Sequence, residues 1–116
     1  CSLLLWDLEE GESLLEFLGH HTSVNCLAAN LGARPVPLAI AGSFGIFSLW
    51  SLTSFAFHYD TVGHASAVNC LEADWESNHL LSGSADMSLR LWHIGNDGRG
   101  KELQVLRGHT APVTSV

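Results

Sequence analysis

The chain has 116 residues, of which 47% are hydrophobic and 15% charged, enough apolar material for one small buried core and too much for wholesale disorder. Its formal charge of −7, from twelve acids and five bases, repels phosphate backbones and argues against nucleic acid as a partner. The three cysteines, Cys1, Cys26 and Cys70, cannot all pair within one chain and form no CxxC unit, so an intracellular location, cytoplasmic or nuclear, is expected.

The first residue is Cys1 and no leader pattern follows it, so the expectation is a segment of a longer protein. Acids cluster near the start (Asp7, Glu9, Glu10, Glu12, Glu16) and bases near the end (Arg90, Arg99, Lys101, Arg107), which reads as solvated surface. From Leu3 to Leu18 the leucines are dense enough to suggest a helix, but Gly11 and the register with later segments argue against one. Short apolar runs separated by Gly, Ser, Asn and Asp then predict strands near Thr22 to Ala29, Val36 to Gly42, Ile46 to Leu52 and Ser54 to Tyr59. A second set is predicted near Ala67 to Ala73, His79 to Ser84, Ser88 to Ile94 and Glu102 to Leu106. The stretch between Arg34 and Asp60 carries no charged side chain, yet glycines and hydroxyl residues interrupt it. It lacks the run of about 20 apolar residues that a membrane helix needs, and no membrane insertion is expected.

The two sets of four strands are repeats. Gly-His pairs fall at Gly19-His20, Gly63-His64 and Gly108-His109, and tryptophans at Trp6, Trp50 and Trp92, giving periods of 42 to 45 residues. Val24-Asn25-Cys26-Leu27 recurs as Val68-Asn69-Cys70-Leu71, each starting four residues after its histidine, and Val113 keeps that offset from His109. Ser2-Leu3-Leu4-Leu5-Trp6 lines up with Ser88-Leu89-Arg90-Leu91-Trp92. The runs do not alternate cleanly between apolar and polar, as expected of sheets covered on both faces by neighbouring sheets.

The Gly63-His64 pair, the Ser82-Gly83-Ser84-Ala85-Asp86 turn and Trp92-His93 together resemble the WD-repeat β-propeller family over nearly the whole chain. The resemblance implies an all-β fold of propeller blades, each a four-stranded antiparallel sheet, in an incomplete propeller. It divides the chain into the end of one blade (1–18), a second repeat (19–62), a third (63–107) and the start of a fourth (108–116). It also implies a buried hydrogen-bonded chain of His64, Ser82, Asp86 and Trp92, with Ser84 as the alternative to Ser82. Such polar groups are costly to bury singly but can satisfy one another. The preceding repeat keeps His20 and Trp50 but has Ala41 and Gly45 where the hydroxyl and carboxylate are expected, and its turn is one residue shorter.

Nothing in the pattern points to catalysis. Of seven histidines, three belong to the repeat, and His21, His58, His79 and His93 show no metal-ligand spacing along the chain. No metal site and no cofactor are expected. Gly95 to Lys101 resembles a phosphate loop only faintly, because Glu102 stands where a Walker motif needs Ser or Thr. The expected role is a non-catalytic scaffold that binds other proteins and the rest of its own propeller. The alternative is a targeting or regulatory propeller of a multidomain enzyme such as a kinase or ubiquitin-ligase subunit. By resemblance, partner-binding candidates are Phe44, His21 and Ser66, on a face that also carries Thr22, Ala65 and Ala85. Phe44 has two readings: an anchor for a partner, or an inward filler of the shortened turn.

Overall fold

The computed structural model describes residues 2–18, 20, 22–30, 38–51, 54, 57–95 and 99–116. Among the described residues nine strands follow one another: β1 (Leu3–Trp6), β2 (Ser13–Phe17), β3 (Cys26–Asn30), β4 (Leu38–Gly42), β5 (Phe44–Ser51), β6 (Phe57–Asp74), β7 (His79–Ser84), β8 (Ser88–Ile94) and β9 (Gly100–Arg107). No helix occurs among the described residues, and none is therefore long and apolar enough to cross a membrane.

The first two strands form an antiparallel hairpin of their own, and the other seven are hydrogen-bonded in sequence order from β3 to β9. The seven are two four-stranded units that share one strand. Residues 57–62 of β6 pair with β5 as the outermost strand of the first unit, while residues 68–74 pair with β7 as the innermost strand of the second. The expected strand from Ser54 to Tyr59 and the expected strand from Ala67 to Ala73 are thus one 18-residue strand that changes partner near Gly63-His64. Strand structure persists through the exchange. Ser54 itself is a turn residue, and β3 begins at Cys26 rather than Thr22. The expected starts of β4 at residues 36 and 37, and Leu52, lie outside the described residues.

Gly63 marks the exchange for a steric reason. A Cβ there would stand 2.4 Å from the Trp92 ring, so the indole packs directly on the bare backbone. Turn chemistry explains other strand ends. The Asp74 carboxylate accepts the backbone N–H groups of Glu76 and Ser77, and Asn78 takes φ of 57°, which together reverse the chain between β6 and β7.

Among the described residues the core lies between the two four-stranded units, built from Ile40, Phe47 and Leu49 of the first and Val68, Leu71, Leu80, Trp92 and Ile94 of the second. Phe47 meets Trp92 edge-on at 5.1 Å between centroids. The repeated Val-Asn-Cys segments join the units. Asn25 Nδ2 donates to the Val68 carbonyl (3.3 Å) and Asn69 Nδ2 to that of Val113 (2.9 Å). Equivalent backbone bonds run from Val68 N to Ser43 O and from Val113 N to Ser84 O. Residues around Val113 are therefore docked on the second sheet as Val68 is docked on the first.

Candidate functional site

The exchange point of β6, the β7–β8 turn and the middle of β8 bring His64, Ser82, Asp86 and Trp92 together. Trp92 Nε1–H donates to Ser82 Oγ (2.8 Å), and Ser82 Oγ meets His64 Nε2 (2.7 Å). His64 Nδ1 meets Asp86 Oδ2 (2.9 Å). A carboxylate accepts only, so the Nδ1 nitrogen carries the imidazole proton and Nε2 accepts from the serine hydroxyl. Every donor in the chain then points the same way, from indole to serine to imidazole to carboxylate, the arrangement in which successive bonds reinforce one another.

Asp86 anchors the end of this relay. Its Oδ2 also accepts the Ala65 N–H (2.9 Å), while Oδ1 accepts the Ser88 N–H (3.0 Å) and the Ser88 hydroxyl (2.6 Å). Burial alone would raise its pKa, but the bonds from Ser88, Ala65 and His64 outweigh that effect and hold the carboxyl far below the usual range. Burial also lowers the pKa of His64, against the pull of Asp86, which keeps the imidazole neutral in the relay. Ser84 lies one step away: its hydroxyl donates to the Ser66 carbonyl (3.3 Å) and accepts the Asp86 N–H (3.1 Å). Ser82 therefore bridges the two rings, and Ser84 braces the turn.

Ser88 was absent from the sequence-based set although it bonds the carboxylate twice. The signal available was its register with Ser2 in the earlier segment. The Ala65 N–H could not be read from side-chain identity at all.

In the first unit the strand register puts Ala41 opposite Leu27, where Ser82 stands opposite Leu71. Gly45 sits at the register irregularity near the start of β5 with φ +73°, and a Cβ there would lie 2.8 Å from the His64 carbonyl. Neither Ala41 nor Gly45 supplies a hydroxyl or a carboxylate. Trp50 is 4% exposed and its Nε1 has no hydrogen-bond partner among the described residues. Its ring is instead surrounded by aromatic groups, with Phe17 at 5.7 Å, His20 at 5.4 Å and Phe57 at 5.2 Å between centroids. Trp6, by contrast, is 51% exposed on the N-terminal hairpin.

Among the partner-binding candidates, Phe44 is 61% exposed at the start of β5, and its backbone N–H donates to Thr22 Oγ1 (3.4 Å). It does not fill the shortened turn. Ser66 is half-buried within β6, and His21 lies outside the described residues. Met87, in the corresponding turn of the second unit, is 43% exposed at φ +66°. Cys26 and Cys70 are free thiols at equivalent positions of the two innermost strands. Burial raises both pKa values, that of Cys26 to about 11, so neither is a ready nucleophile. Among the described residues no group of three or more His, Cys, Asp or Glu is placed to hold a metal ion.

Residues 54–93 match the family model of the WD domain, G-beta repeat. No curated protein matches the chain. Among solved structures, one described as the structure of U3-55K aligns over 99% of this chain with a TM-score of 0.85 and 24% identity. Another, described as the crystal structure of RRP9 WD40 repeats, aligns over 99% with a TM-score of 0.84 and 25% identity. The chain spans only 36% and 35% of those two chains, about a third of their length. The WD40 match thus lies on residues 54–93, and the chain as a whole has the all-β fold of a propeller, here an incomplete one.

Proposed function

We propose that this chain is part of a non-catalytic platform for protein–protein interaction, organised as the end of one blade (1–18), two repeats (19–62 and 63–107) and the start of another (108–116). WD40 propellers generally mediate such contacts. The observation that carries the reading for this chain is Phe44, a large aromatic left 61% exposed at the start of β5. Aromatic anchors dominate binding energy at protein interfaces. Thr22 beside it and Ser66 complete the candidate contact face, with His21 as a further candidate.

The relay of His64, Ser82, Asp86 and Trp92 is assigned a structural role. Its histidine and aspartate are committed to bonds within the fold, which leaves them unavailable for acid–base work on a substrate. The uncovered apolar side chains on the end strands, Leu4, Trp6 and Leu14 at one end and Leu103 and Leu106 at the other, fit coverage by further blades of the same propeller. Net negative charge favours other proteins over nucleic acid as partners, and the free Cys26 and Cys70 fit a reducing cytoplasmic or nuclear setting.

The test is site-specific photo-crosslinking from position 44 in cells, followed by capture with Phe44→Ala. A discrete crosslinked protein, lost on Phe44→Ala with the melting temperature unchanged, supports the reading. A lowered melting temperature with capture intact in the folded fraction assigns Phe44 to the fold and defeats it.

A further inference from the structure

His79 and His93 are 14 residues apart in sequence, with nothing in that spacing to suggest joint action. The register of β7 and β8 places them directly opposite each other. Ile94 N donates to Asn78 O across the same pair of strands (2.8 Å), so Asn78 and Ile94 form a hydrogen-bonded pair and the next pair, His79 with His93, is a non-hydrogen-bonded one. At such positions facing side chains approach most closely. The two imidazole centroids lie 5.7 Å apart with the rings at 64°, and both side chains are half-buried.

The His79 ring is held by a relay of its own. Its Nδ1 bonds Ser77 Oγ (2.9 Å), and the Ser77 hydroxyl donates to Asp74 Oδ2. Because Ser77 spends its proton on the carboxylate, His79 must carry its proton on Nδ1, which leaves Nε2 as a lone pair. Hydrogen bonds from Ser77 hold the Asp74 carboxyl below its ordinary pKa, so this support is ionised at neutral pH. A carboxylate that fixes the tautomer of a histidine from behind is the usual outer shell of an imidazole metal ligand. Distance agrees as well. With metal–nitrogen bonds of about 2.1 Å, two imidazole centroids around one tetrahedral ion lie roughly 5 Å apart, within a small side-chain adjustment of the observed separation.

We propose that His79 and His93 form a two-imidazole site for a divalent transition-metal ion of the zinc class, with Asp74 and Ser77 as positioning residues for the His79 ring. Water completes the coordination. Lys101, opposite His93 on β9, is the nearest cationic residue in the register and opposes the ion, so the site is one of moderate affinity.

Zinc chloride titrated into the purified protein, read by calorimetry and by nitrogen-15 shifts of the imidazoles, tests this. The expected result is one saturable zinc per chain, with Nε2 of both His79 and His93 shifting together. His79→Gln and His93→Gln should each weaken binding at least tenfold, Ser77→Ala by roughly ten- to a hundredfold, and Lys101→Ala should tighten it. Unchanged zinc-free melting temperatures would show that the variants remain folded. Absence of saturable binding, or binding that leaves the two imidazole resonances of the unmodified protein in place, overturns the proposal, as does full affinity in either glutamine variant.

Discussion

The two blades offer an internal comparison, because each buries a tryptophan at the same strand position with opposite hydrogen-bond provision. Replacing either indole with phenyl removes a similar amount of packed surface, so the packing loss cancels to first order between Trp92→Phe and Trp50→Phe. What remains differs in sign. Trp92→Phe deletes the donor to Ser82 Oγ (2.8 Å) at the head of the relay, a loss of about 1 kcal/mol for the bond and more if the serine is left short of partners. Trp50→Phe deletes an N–H that is buried without a hydrogen bond among the described residues, which returns about 1–3 kcal/mol of desolvation cost. Trp92→Phe should therefore be the more damaging change by roughly 2–4 kcal/mol. Tryptophan-to-alanine versions should keep the order on top of a shared cavity cost of about 3–5 kcal/mol. Denaturant unfolding of the complete protein, compared at constant m-value, measures the gap. Pairing each change with Ser82→Ala separates the bond from the packing, since only Trp92 should couple to Ser82. Equal losses at the two positions, or no coupling between Trp92 and Ser82, would refute the reasoning.

Asp86→Asn should destabilise by about 2–4 kcal/mol, because an amide cannot accept all four bonds the carboxylate takes and presents a donor to other donors; denaturation midpoints measure it. Gly45→Ala should be costly for two reasons, φ of +73° and a Cβ 2.8 Å from the His64 carbonyl, with an expected loss of about 2 kcal/mol or more in the same assay. Met87→Gly should act oppositely and raise the melting temperature, since relief of the left-handed conformation at φ +66°, about 1–2 kcal/mol, exceeds the added chain entropy of glycine. Stability should also fall with pH. His64 is neutral in the fold with its pKa below the ordinary 6.5, so the unfolded chain binds more protons, and its contribution is complete above 6.5 and lost as pH falls through the folded value. Asp86, also lowered, adds a loss of the same sign below 3.8. Comparison of His64→Gln with the unmodified protein between pH 7.5 and 5.5 should show the slope flattened in the variant.

The repeat carried most of the fold. Periodic glycine, histidine and tryptophan, with short apolar runs between turn residues, determined an all-β chain of repeated units, because a residue that packs the same way in each blade must recur at the same register. The strands from His79 to Ser84 and Ser88 to Ile94 needed no correction. Of the relay, only His64 and Trp92 recur in the preceding repeat; Ser82 and Asp86 followed from the family resemblance, and Ser88 was readable in principle from its register with Ser2.

Tertiary structure decided what no local pattern encodes. That one strand, Phe57–Asp74, serves two sheets follows from which neighbour each half pairs with, a long-range choice. That Phe44 is exposed while the bare Gly45 backbone beside it is seated close to the His64 carbonyl follows from how distant segments meet. Ala41 and Gly45 already set Trp50 apart from Trp92 in sequence, but the meeting of Phe17, His20 and Phe57 around the Trp50 ring was not legible, because those side chains come from separate segments. The meeting of His79 with His93 is of the same kind. Sequence spacing says nothing about two side chains on neighbouring strands until the register is set, and register is set by the turn at Ala85 to Met87 and by burial of the core-facing side chains of β7 and β8 against the adjoining blade.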